Sequence, residues 1–254
     1  MAIQRVTSKW EKTNVLLRNT ATQSLIPHTA KLNKERLEEM LGRYGMVYLK
    51  PNRGTFGQGV IRIEKQEGRY TSQTGTTART YSGVDALYAA LKQSTGRRLY
   101  LIQRGIHLLK HRNRRFDFRV MVQMSPSGKW ETTGIIGRLA HPKKIVTNYH
   151  SGGTPLPFER LMSTHLSPSG QASYLTRLRK MGVQVAQQLQ SAYPQLKEIG
   201  IDVAVDTKLE PWILEVNTMP DPYLFRRLKD RSVFRKVYRY AAAYGRFKSK
   251  RASR

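Results

Sequence analysis

The chain has 254 residues, of which 39% are hydrophobic, so it can form one large domain or two small ones and is not wholly disordered. It contains no cysteine, which excludes disulfides, thiolate metal sites and a cysteine nucleophile. No apolar run approaches the roughly 18 residues of a membrane span, and the first ten residues lack the apolar segment of a secretory signal. We therefore expect a soluble, cytoplasmic protein.

The charge of the chain is strongly positive. Its 45 lysine and arginine residues outnumber 17 acidic residues, which gives a formal net charge of +28. Such an excess predicts affinity for polyanions, which include nucleic acid, acidic polymers, nucleotide phosphates and acidic protein surfaces. Basic residues are densest in 97–119, with Asp117 as the one acid, and in 224–254, with Asp230 as the one acid. A solvated charged face remains the alternative for each stretch.

The predicted elements mix strands and helices without a regular βαβ rhythm, which favours an α+β chain. A first group comprises a helix at 33–45, strands at 46–50 and 60–64, a helix that a capping box at 82–85 begins and that ends near 94, and a strand at 100–103. A second group comprises strands at 116–123 and 130–139, a loop at 141–158, an amphipathic helix at 171–190, strands at 199–205 and 212–217, and a basic helix carrying Phe234, Val237, Tyr238 and Ala241.

A lysine and a glycine-rich segment connect two of the predicted strands. Lys50 ends the first strand, and residues 51–59 contain three glycines before the second strand begins. Glycines allow positive φ angles and close backbone approach, so successive N–H groups can wrap a phosphate chain while Lys50 supplies a charge. The pattern is neither a P-loop nor a Rossmann fingerprint, because no helix follows. A plain glycine-rich hairpin remains the alternative.

The strands at 199–205 and 212–217 place acids on one face. Asp202 alternates with apolar neighbours, and Glu215 and Asn217 are two residues apart and so share a face. A turn near 208–209 brings Asp202 opposite Glu215. Two carboxylates and one amide oxygen then converge, which suits Mg²⁺ bound together with nucleotide phosphates. An exposed polar face of a hairpin is the alternative.

Together these features resemble the ATP-grasp superfamily, and more narrowly the YheC/YheD family, which is described as endospore coat-associated. The resemblance extends over roughly residues 8–245, and it implies an ATP-grasp fold with two α+β subdomains that hold ATP between them. The stretches that carry it are Ser8-Lys-Trp10, Pro27-His-Thr29, Met46-Val-Tyr-Leu-Lys-Pro51, the loop 54–59, Tyr100-Leu-Ile-Gln103, Phe116-Asp-Phe-Arg119, Asp202 and Trp212-Ile-Leu-Glu-Val-Asn217.

The resemblance implies a boundary for each part of the chain. Residues 1–29 form an N-terminal segment, and 30–105 form the subdomain with the glycine-rich loop. Residues 106–245 form the subdomain with the metal site, and 246–254 form a basic tail. Because the chain begins almost at its nucleotide-binding part, we predict that the further front domain of many ATP-grasp chains is absent.

The resemblance also implies residues that bind ATP. Lys50 contacts the α- and β-phosphates, and Lys9 is a further phosphate-binding lysine. Gln103 and Ile106 lie at the hinge that contacts adenine, although Gln103 as a plain sheet residue is the alternative. The loop that closes over the β- and γ-phosphates contains Gly54, Thr55, Phe56, Gly57 and Gly59.

Metal and substrate residues follow from the same resemblance. Asp202, Glu215 and Asn217 match the magnesium ligands, with Glu215 as the bridge between two ions. The side chains that resemble those meeting the transferred phosphate and the acyl substrate in RimK-like ligases are Arg119, Arg138 and Asn148. Arg119 paired with Asp117 or Glu215 is the alternative. D-alanine–D-alanine ligases carry an arginine where this chain has Gly200, so a D-alanyl ligase is not expected.

The implied reaction is ATP- and Mg-dependent ligation of a carboxylate to an amine or thiol through an acyl phosphate. The charge favours an acidic peptide, protein or poly-acid as the substrate. The aromatic residues fall mostly on the predicted apolar faces of strands and helices and not between arginines. Nucleic acid is therefore expected only as a nonspecific competitor for the basic surface. Two alternatives are a non-catalytic polyanion-binding or spore-coat protein with an ATP-grasp shell, and an ATP-grasp phosphotransferase. The resemblance adds spore association to the expected cytoplasmic location.

Overall fold

The computed structural model describes residues 2–147 and 149–247, with the backbone alone for His150. The first half of the chain contains α1 (Lys9–Leu17), α2 (Thr20–Gln23), β1 (Thr29–Lys31), α3 (Lys34–Tyr44), β2 (Met46–Pro51), β3 (Ile61–Gln66), β4 (Arg69–Thr74), β5 (Thr77–Tyr81), α4 (Val84–Thr95) and β6 (Tyr100–Arg104). The second half contains β7 (Lys110–His111), β8 (Arg114–Met124), β9 (Trp130–Leu139), β10 (Thr154–Leu156), α5 (Phe158–Met162), α6 (Pro168–Ala192), β11 (Glu198–Val205), β12 (Pro211–Asn217) and α7 (Arg231–Ala243), with 3₁₀ helices at Tyr149–Ser151 and Pro222–Arg227.

The first sheet is antiparallel throughout, and its strand order is β1-β6-β2-β3-β4-β5. Helices α3 and α4 bury apolar side chains against it, among them Leu37, Met40 and Leu87. The predicted helix at 33–45 is confirmed as α3. The Asn33 side chain caps its N-terminus by accepting a hydrogen bond from the Arg36 N–H, and Gly45 ends it in a left-handed conformation at φ 67°.

The second sheet is also antiparallel, with the order β10-β9-β8-β11-β12. Helix α6 covers one face and contributes Leu178, Val185 and Leu189 to the large core. The 3₁₀ helix Pro222–Arg227 and α7 cover part of the other face. Because both faces are covered, every residue of β11 is buried. The acids of this strand are therefore interior groups that require partners.

Two sequence predictions are wrong in local detail. Helix α4 has Gly83 at its N-cap and no side-chain cap hydrogen bond, so the capping box at 82–85 does not form. The predicted loop at 141–158 contains a 3₁₀ helix and strand β10, and α5 begins at its last residue. Strand β10 spans three residues, which is too short for an alternating pattern to identify it.

The two sheets, with the helices packed on them, give the α+β architecture that the sequence predicts. In the described ranges no helix combines the length and apolar character that a membrane crossing requires.

Candidate functional site

A cleft of about 720 Å³ lies between the two sheets. Both sheets and the loop before the 3₁₀ helix Tyr149–Ser151 contribute to it. Its lining brings together Lys50, Gly57, Gln103, Ile106, Arg138, Asp202 and Glu215 from the predicted site, beside Tyr48, Val60, Arg104, Leu108, Arg115, Asp117, Ile145, Val146, Thr147 and Leu214.

Lys50 lies at the junction of the two sheets. Its Nζ donates hydrogen bonds to Oε1 of Gln103 at 2.6 Å and to the carbonyl of Leu214 at 3.1 Å. The Leu214 carbonyl is available because the β11–β12 pairing passes from Asp202–Glu215 to Val203–Ile213, which leaves Leu214 in a bulge. Gln103 in turn donates to the Thr29 hydroxyl at 3.0 Å. Gln103 is therefore a sheet residue whose amide faces the cleft.

The environment of Lys50 alters its basicity. Burial lowers the pKa of the Lys50 ammonium from 10.5 to about 8, against the opposing effect of Glu215, while Lys9 lowers it further. The ammonium thus loses its proton within the range of ordinary assay conditions. An anion placed beside it would favour the charged form.

The three glycines of the glycine-rich loop adopt the positive φ angles that the sequence predicts, and Phe56 adopts one as well. Positive φ angles occur at Gly54 (134°), Phe56 (59°), Gly57 (73°) and Gly59 (72°). The loop is attached on both sides of the cleft, because Lys9 Nζ donates to the Gly54 carbonyl at 2.9 Å and Ser151 Oγ donates to the Phe56 carbonyl at 3.2 Å. Gly59 packs near the Tyr100 hydroxyl and does not line the cleft.

Lys9 begins helix α1, which the sequence prediction missed. The helix starts where the Ser8 side chain accepts from the Glu11 N–H, and the Trp10 N–H donates to Oδ1 of Asn52 at 2.8 Å. Asn52 belongs to the segment that leads into the glycine-rich loop, so α1 and the loop are held together. Lys9 Nζ also lies 3.5 Å from Oε1 of Glu215.

Two aspartates and two arginines form a buried network on the cleft side of the second sheet. Arg138 donates to both oxygens of Asp117, at 2.9 and 2.6 Å, and its Nη2 lies 3.1 Å from Asp202. Arg119 Nε donates to Oδ1 of Asp202 at 2.7 Å. The alternative pairing of Arg119 with Asp117 or Glu215 is thus wrong. The reason is register, because Arg119 is the cross-strand partner of Asp202 and Asp117 is that of Arg138.

Charge pairing compensates the cost of burying these groups. Burial alone would raise the pKa of the Asp202 carboxyl, but Arg119 and Arg138 hold it below its usual range. Burial opposes the charge of Arg138, and Asp117 and Asp202 raise its pKa further above the usual value. Asp202 and Arg138 therefore stay ionised near neutral pH.

The predicted metal ligands meet on the β11–β12 hairpin. The pairing of Asp202 with Glu215 is confirmed, and Asn217 lies opposite Gly200. Within the described residues no cluster of three or more His, Cys, Asp or Glu side chains has metal-binding geometry. The available donors are two carboxylates and one amide. Glu215 and Asn217 fit a magnesium ion by chemistry and exposure, whereas both oxygens of Asp202 already accept from guanidinium groups.

A second cleft continues from the first on the far side of Glu215. Thr55, Phe56, Arg119, Arg138 and Asn217 line it together with residues after β12, which are Met219, Pro220, Asp221, Pro222, Tyr223 and Leu224, and with Tyr149 and Arg246. Of the predicted substrate residues, Arg119 and Arg138 are therefore adjacent to the metal-ligand candidates. Asn148 lies outside the described residues.

Three contributors to the site were missed or left without a role. Asp117 lies in one of the stretches that carry the resemblance, but its partner Arg138 lies on another strand. Thr147, whose hydroxyl donates to Asp117 at 2.6 Å, lies in a segment without a periodic pattern. Gly200 provides room, because a Cβ there would lie 2.6 Å from Pro220 Cβ and 3.1 Å from Arg119 Cδ. The same contacts leave no space for the arginine of D-alanyl ligases.

Solved structures share this architecture. N5-carboxyaminoimidazole ribonucleotide synthetase from Thermotoga maritima matches 94% of this chain and 49% of its own, with a TM-score of 0.53 and 13% identity. The C-terminal domain of K. lactis Pby1, described as an ATP-grasp enzyme interacting with the mRNA decapping enzyme Dcp2, matches 93% of this chain and 72% of its own, with a TM-score of 0.52 and 13% identity. The fold is therefore the ATP-grasp fold.

The family follows from the sequence comparison. The YheC/D-like ATP-grasp family matches residues 2–247, and the chain belongs to this family. Two relatives from Bacillus subtilis (strain 168) are each 24% identical. They are the endospore coat-associated proteins YheD, over 86% of this chain and 49% of its own length, and YheC, over 84% and 59%. The chain thus spans 49% of the length of one relative and 59% of the length of the other.

Proposed function

We propose that the protein is an ATP- and magnesium-dependent ligase that joins a carboxylate to an amine or thiol through an acyl phosphate. The observation that carries the proposal is a pair of adjacent clefts that share Glu215 and Arg138. Lys50 lines the first cleft, and Arg119 and Asn217 line the second. Lys50, Glu215 and Arg138 line the same cavity although they come from different strands. Membership of the ATP-grasp superfamily supports nucleotide binding there.

The walls of the first cleft suit a nucleotide. Tyr48, Val60, Ile106 and Leu108 provide an apolar surface for a purine ring, and Gln103 provides an amide beside it. Lys50 and Gly57 lie in the same lining, where the phosphates would extend toward the loop. Lys9 holds the loop through the Gly54 carbonyl, and its Nζ lies 3.5 Å from Oε1 of Glu215, which lines the first cleft together with Lys50.

Glu215 and Asn217 would hold magnesium, and Asp202 would join them only by exchanging one of its guanidinium contacts for the ion. The ion supplies charge neutralisation for the phosphates during transfer. The protein residues position the ligands, since the hairpin register fixes Asp202 opposite Glu215. The two guanidinium groups on Asp202 fix that carboxylate in place.

The proposed chemistry has two steps. A substrate carboxylate oxygen attacks the γ-phosphorus of ATP, the bond to the bridging oxygen breaks, and ADP leaves. The lone pair of the amine then attacks the acyl carbon, inorganic phosphate leaves, and the amine proton passes to solvent. Arg119 donates to Asp202 through Nε, and among the described residues its terminal nitrogens have no hydrogen-bond partner. They are thus available for the charge of the acyl phosphate.

An acidic substrate is the second part of the proposal. The basic stretch 97–119 includes Arg104 and Arg115, which line the first cleft, and Arg119, which lines the second. Arg246 adds a cation to the lining of the second cleft. Their combined field would concentrate an acidic peptide, protein tail or poly-acid at the opening.

The test is product analysis. The protein is incubated with Mg-ATP, acidic peptides and a pool of amino acids, and the products are examined by mass spectrometry. The proposal expects a mass increase of one amino acid minus water, with release of ADP and phosphate. A phosphorylated product without an amide would indicate a phosphotransferase. No turnover with any acidic acceptor would favour the non-catalytic polyanion-binding alternative, which the net charge of +28 supports.

We propose an association with the spore, because both B. subtilis relatives are named as endospore coat-associated.

A further inference from the structure

Four aromatic side chains near the C-terminal end of the described chain pack in a closed cycle, which we call the aromatic quartet. The members are Tyr223, Phe234, Tyr238 and Phe247. The ring centroids are 6.1 Å apart for Tyr223–Phe234, 5.8 Å for Phe234–Tyr238, 4.6 Å for Tyr238–Phe247 and 6.2 Å for Tyr223–Phe247. The Tyr238 and Phe247 rings are stacked, with an interplanar angle of 16°. Three separate segments thus meet in one cluster of rings.

The quartet is not a buried core. Tyr223 is 46% exposed and Tyr238 is 39% exposed, which places both among the most exposed large apolar side chains of the described residues. A cluster whose role was only to dock the C-terminal segment would bury its rings. The segment also has a polar attachment, because Arg246 donates to the buried carboxylate of Glu198 at 2.6 Å.

Arginines surround the rings. The guanidinium of Arg226 lies 5.6 Å from the Phe234 ring centroid, and that of Arg246 lies 5.9 Å from the Phe247 centroid. Arg231 donates to the Arg226 carbonyl. Arg235 is exposed and lies three residues before Tyr238 on α7, a spacing that makes the two side chains surface neighbours.

The acids next to the quartet are already used by the backbone. Asp221 accepts a hydrogen bond from the Tyr223 N–H at 2.8 Å, which caps the 3₁₀ helix. Asp230 accepts from the N–H and hydroxyl of Ser232, which caps α7. Both carboxylates keep their negative charge, but Arg226, Arg231 and Arg235 outnumber them, so the patch around the rings has a net positive charge.

We propose that the aromatic quartet and its arginines form a binding surface for single-stranded nucleic acid. Exposed rings stack on unpaired bases, and guanidinium groups pair with the phosphates between them. An acidic peptide would use the arginines but gain nothing from the rings. A duplex keeps its bases stacked on one another, so it offers the rings no face. The combination of exposed rings and cations thus fits the single-stranded polymer.

The fold explains why the sequence alone does not predict a nucleic-acid surface at these aromatic residues. Tyr223 lies in a 3₁₀ helix, Phe234 and Tyr238 lie in α7, and Phe247 follows Gly245, whose φ of 79° turns the chain back. Helical periodicity alone assigns Phe234 and Tyr238 to an apolar face. Only the meeting of these three segments produces a ring platform among arginines. The proposal does not depend on ligase chemistry, although Tyr223 and Arg246 also line the second cleft.

The experiment measures fluorescence anisotropy of labelled oligonucleotides at roughly 0.15 M salt. The probes are an oligo-uridine RNA, an oligo-thymidine DNA, a DNA duplex of equal charge and a poly-glutamate peptide. The double variant Tyr223→Ala/Tyr238→Ala should bind both single strands at least about tenfold more weakly, while its salt dependence stays that of the unmodified protein. Tyr223→Trp/Tyr238→Trp should retain binding.

The matched control is Tyr88→Ala. Tyr88 lies on α4, and Nζ of Lys92 is 6.0 Å from its ring centroid, so it is also an aromatic ring beside a cation. Because α4 packs on the first sheet and not with the quartet, removal of the Tyr88 ring should not alter oligonucleotide binding. Ultraviolet crosslinking of the unmodified protein to the oligo-uridine should map to 223–247, which keeps the test decisive should the alanine variant fail to fold.

Two results would overturn the proposal: equal affinity for duplex or poly-glutamate with no effect of the double variant, or crosslinks elsewhere on the surface. Calorimetric ATP binding, measured on the same preparations, shows separately whether the nucleotide site is intact.

Discussion

Lys50 couples the proposed nucleotide site to pH. Its ammonium has a pKa of about 8 because burial disfavours the charge, so it is largely protonated at pH 7 and largely neutral at pH 9. A triphosphate interacts with the protonated form. ATP affinity should therefore fall as the pH rises through about 8, and titration calorimetry at pH 7 and pH 9 measures the difference.

Two variants identify the group responsible. Lys50→Arg stays charged at both pH values and should remove the difference. Burial also lowers the pKa of Lys12 to about 8, but Lys12 donates to the Val6 carbonyl and does not line the first cleft. The Lys12→Met variant should therefore keep the difference in ATP affinity between pH 7 and pH 9. An unchanged pH dependence in Lys50→Arg would assign the titration to another group.

The size of the loss in ATP affinity on removal of the Lys50 charge can also be predicted. Lys50→Ala removes a charge-assisted contact worth about 1.5–3 kcal/mol, so ATP affinity at pH 7 should fall by roughly ten- to a hundredfold. Calorimetry at constant salt measures it. Unchanged affinity would leave the glycine-rich segment as a plain hairpin.

Glu215 is the residue on which the proposed metal site depends. Glu215→Gln keeps the shape and removes the charge, so magnesium-dependent ATP turnover should fall by at least about a hundredfold while the thermal midpoint changes little. Glu210→Gln is the matched control. Glu210 lies at the turn of the same hairpin and pairs with exposed Arg177 outside the cleft. Normal turnover in the Glu215→Gln variant would show that Glu215 is not a metal ligand.

At the scale of elements, β11 has a glycine, Gly200, where a larger residue would collide with a member of the network of two aspartates and two arginines. A Cβ at this position would approach Pro220 and Arg119, so Gly200→Ala should lower the free energy of unfolding by about 1–3 kcal/mol and displace Arg119. Gly42→Ala in α3 meets no atom within 4 Å and should be neutral or stabilising by about 0.5–1 kcal/mol. Urea denaturation of the two variants tests the contrast, and equal stabilities would contradict it.

The long elements could be predicted from periodicity because their core faces repeat. Helix α3 and strands β9 and β12 lie within two residues of their predicted bounds. Short or exposed elements could not be predicted. Strand β5 has no buried face and owes its place to pairing with β4, and β7 has only two residues. Their order comes from neighbours and not from a local pattern.

At the scale of the whole molecule, the positive charge has a testable consequence. Electrostatic capture of an acidic substrate is screened over about 8–10 Å near physiological salt. The apparent affinity for an acidic peptide should therefore fall steeply between low and moderate salt, whereas ATP affinity, which depends on contacts inside the cleft, should change less. Steady-state kinetics at several salt concentrations measure both. An apparent affinity for the acidic peptide that does not change with salt concentration would indicate that the basic surface binds another partner.

By itself the sequence determined the class of fold, the glycine-rich loop, and the pairing of Asp202 with Glu215, because each depends on neighbours along one hairpin or on a spaced motif. Only the tertiary structure decided how Arg119 and Arg138 are used, since their partners lie on other strands and cross-strand register selects them. It also decided that Lys9 reaches the loop and that four distant rings form one platform. Contacts between segments far apart in the chain depend on packing, which leaves no periodic trace in the sequence.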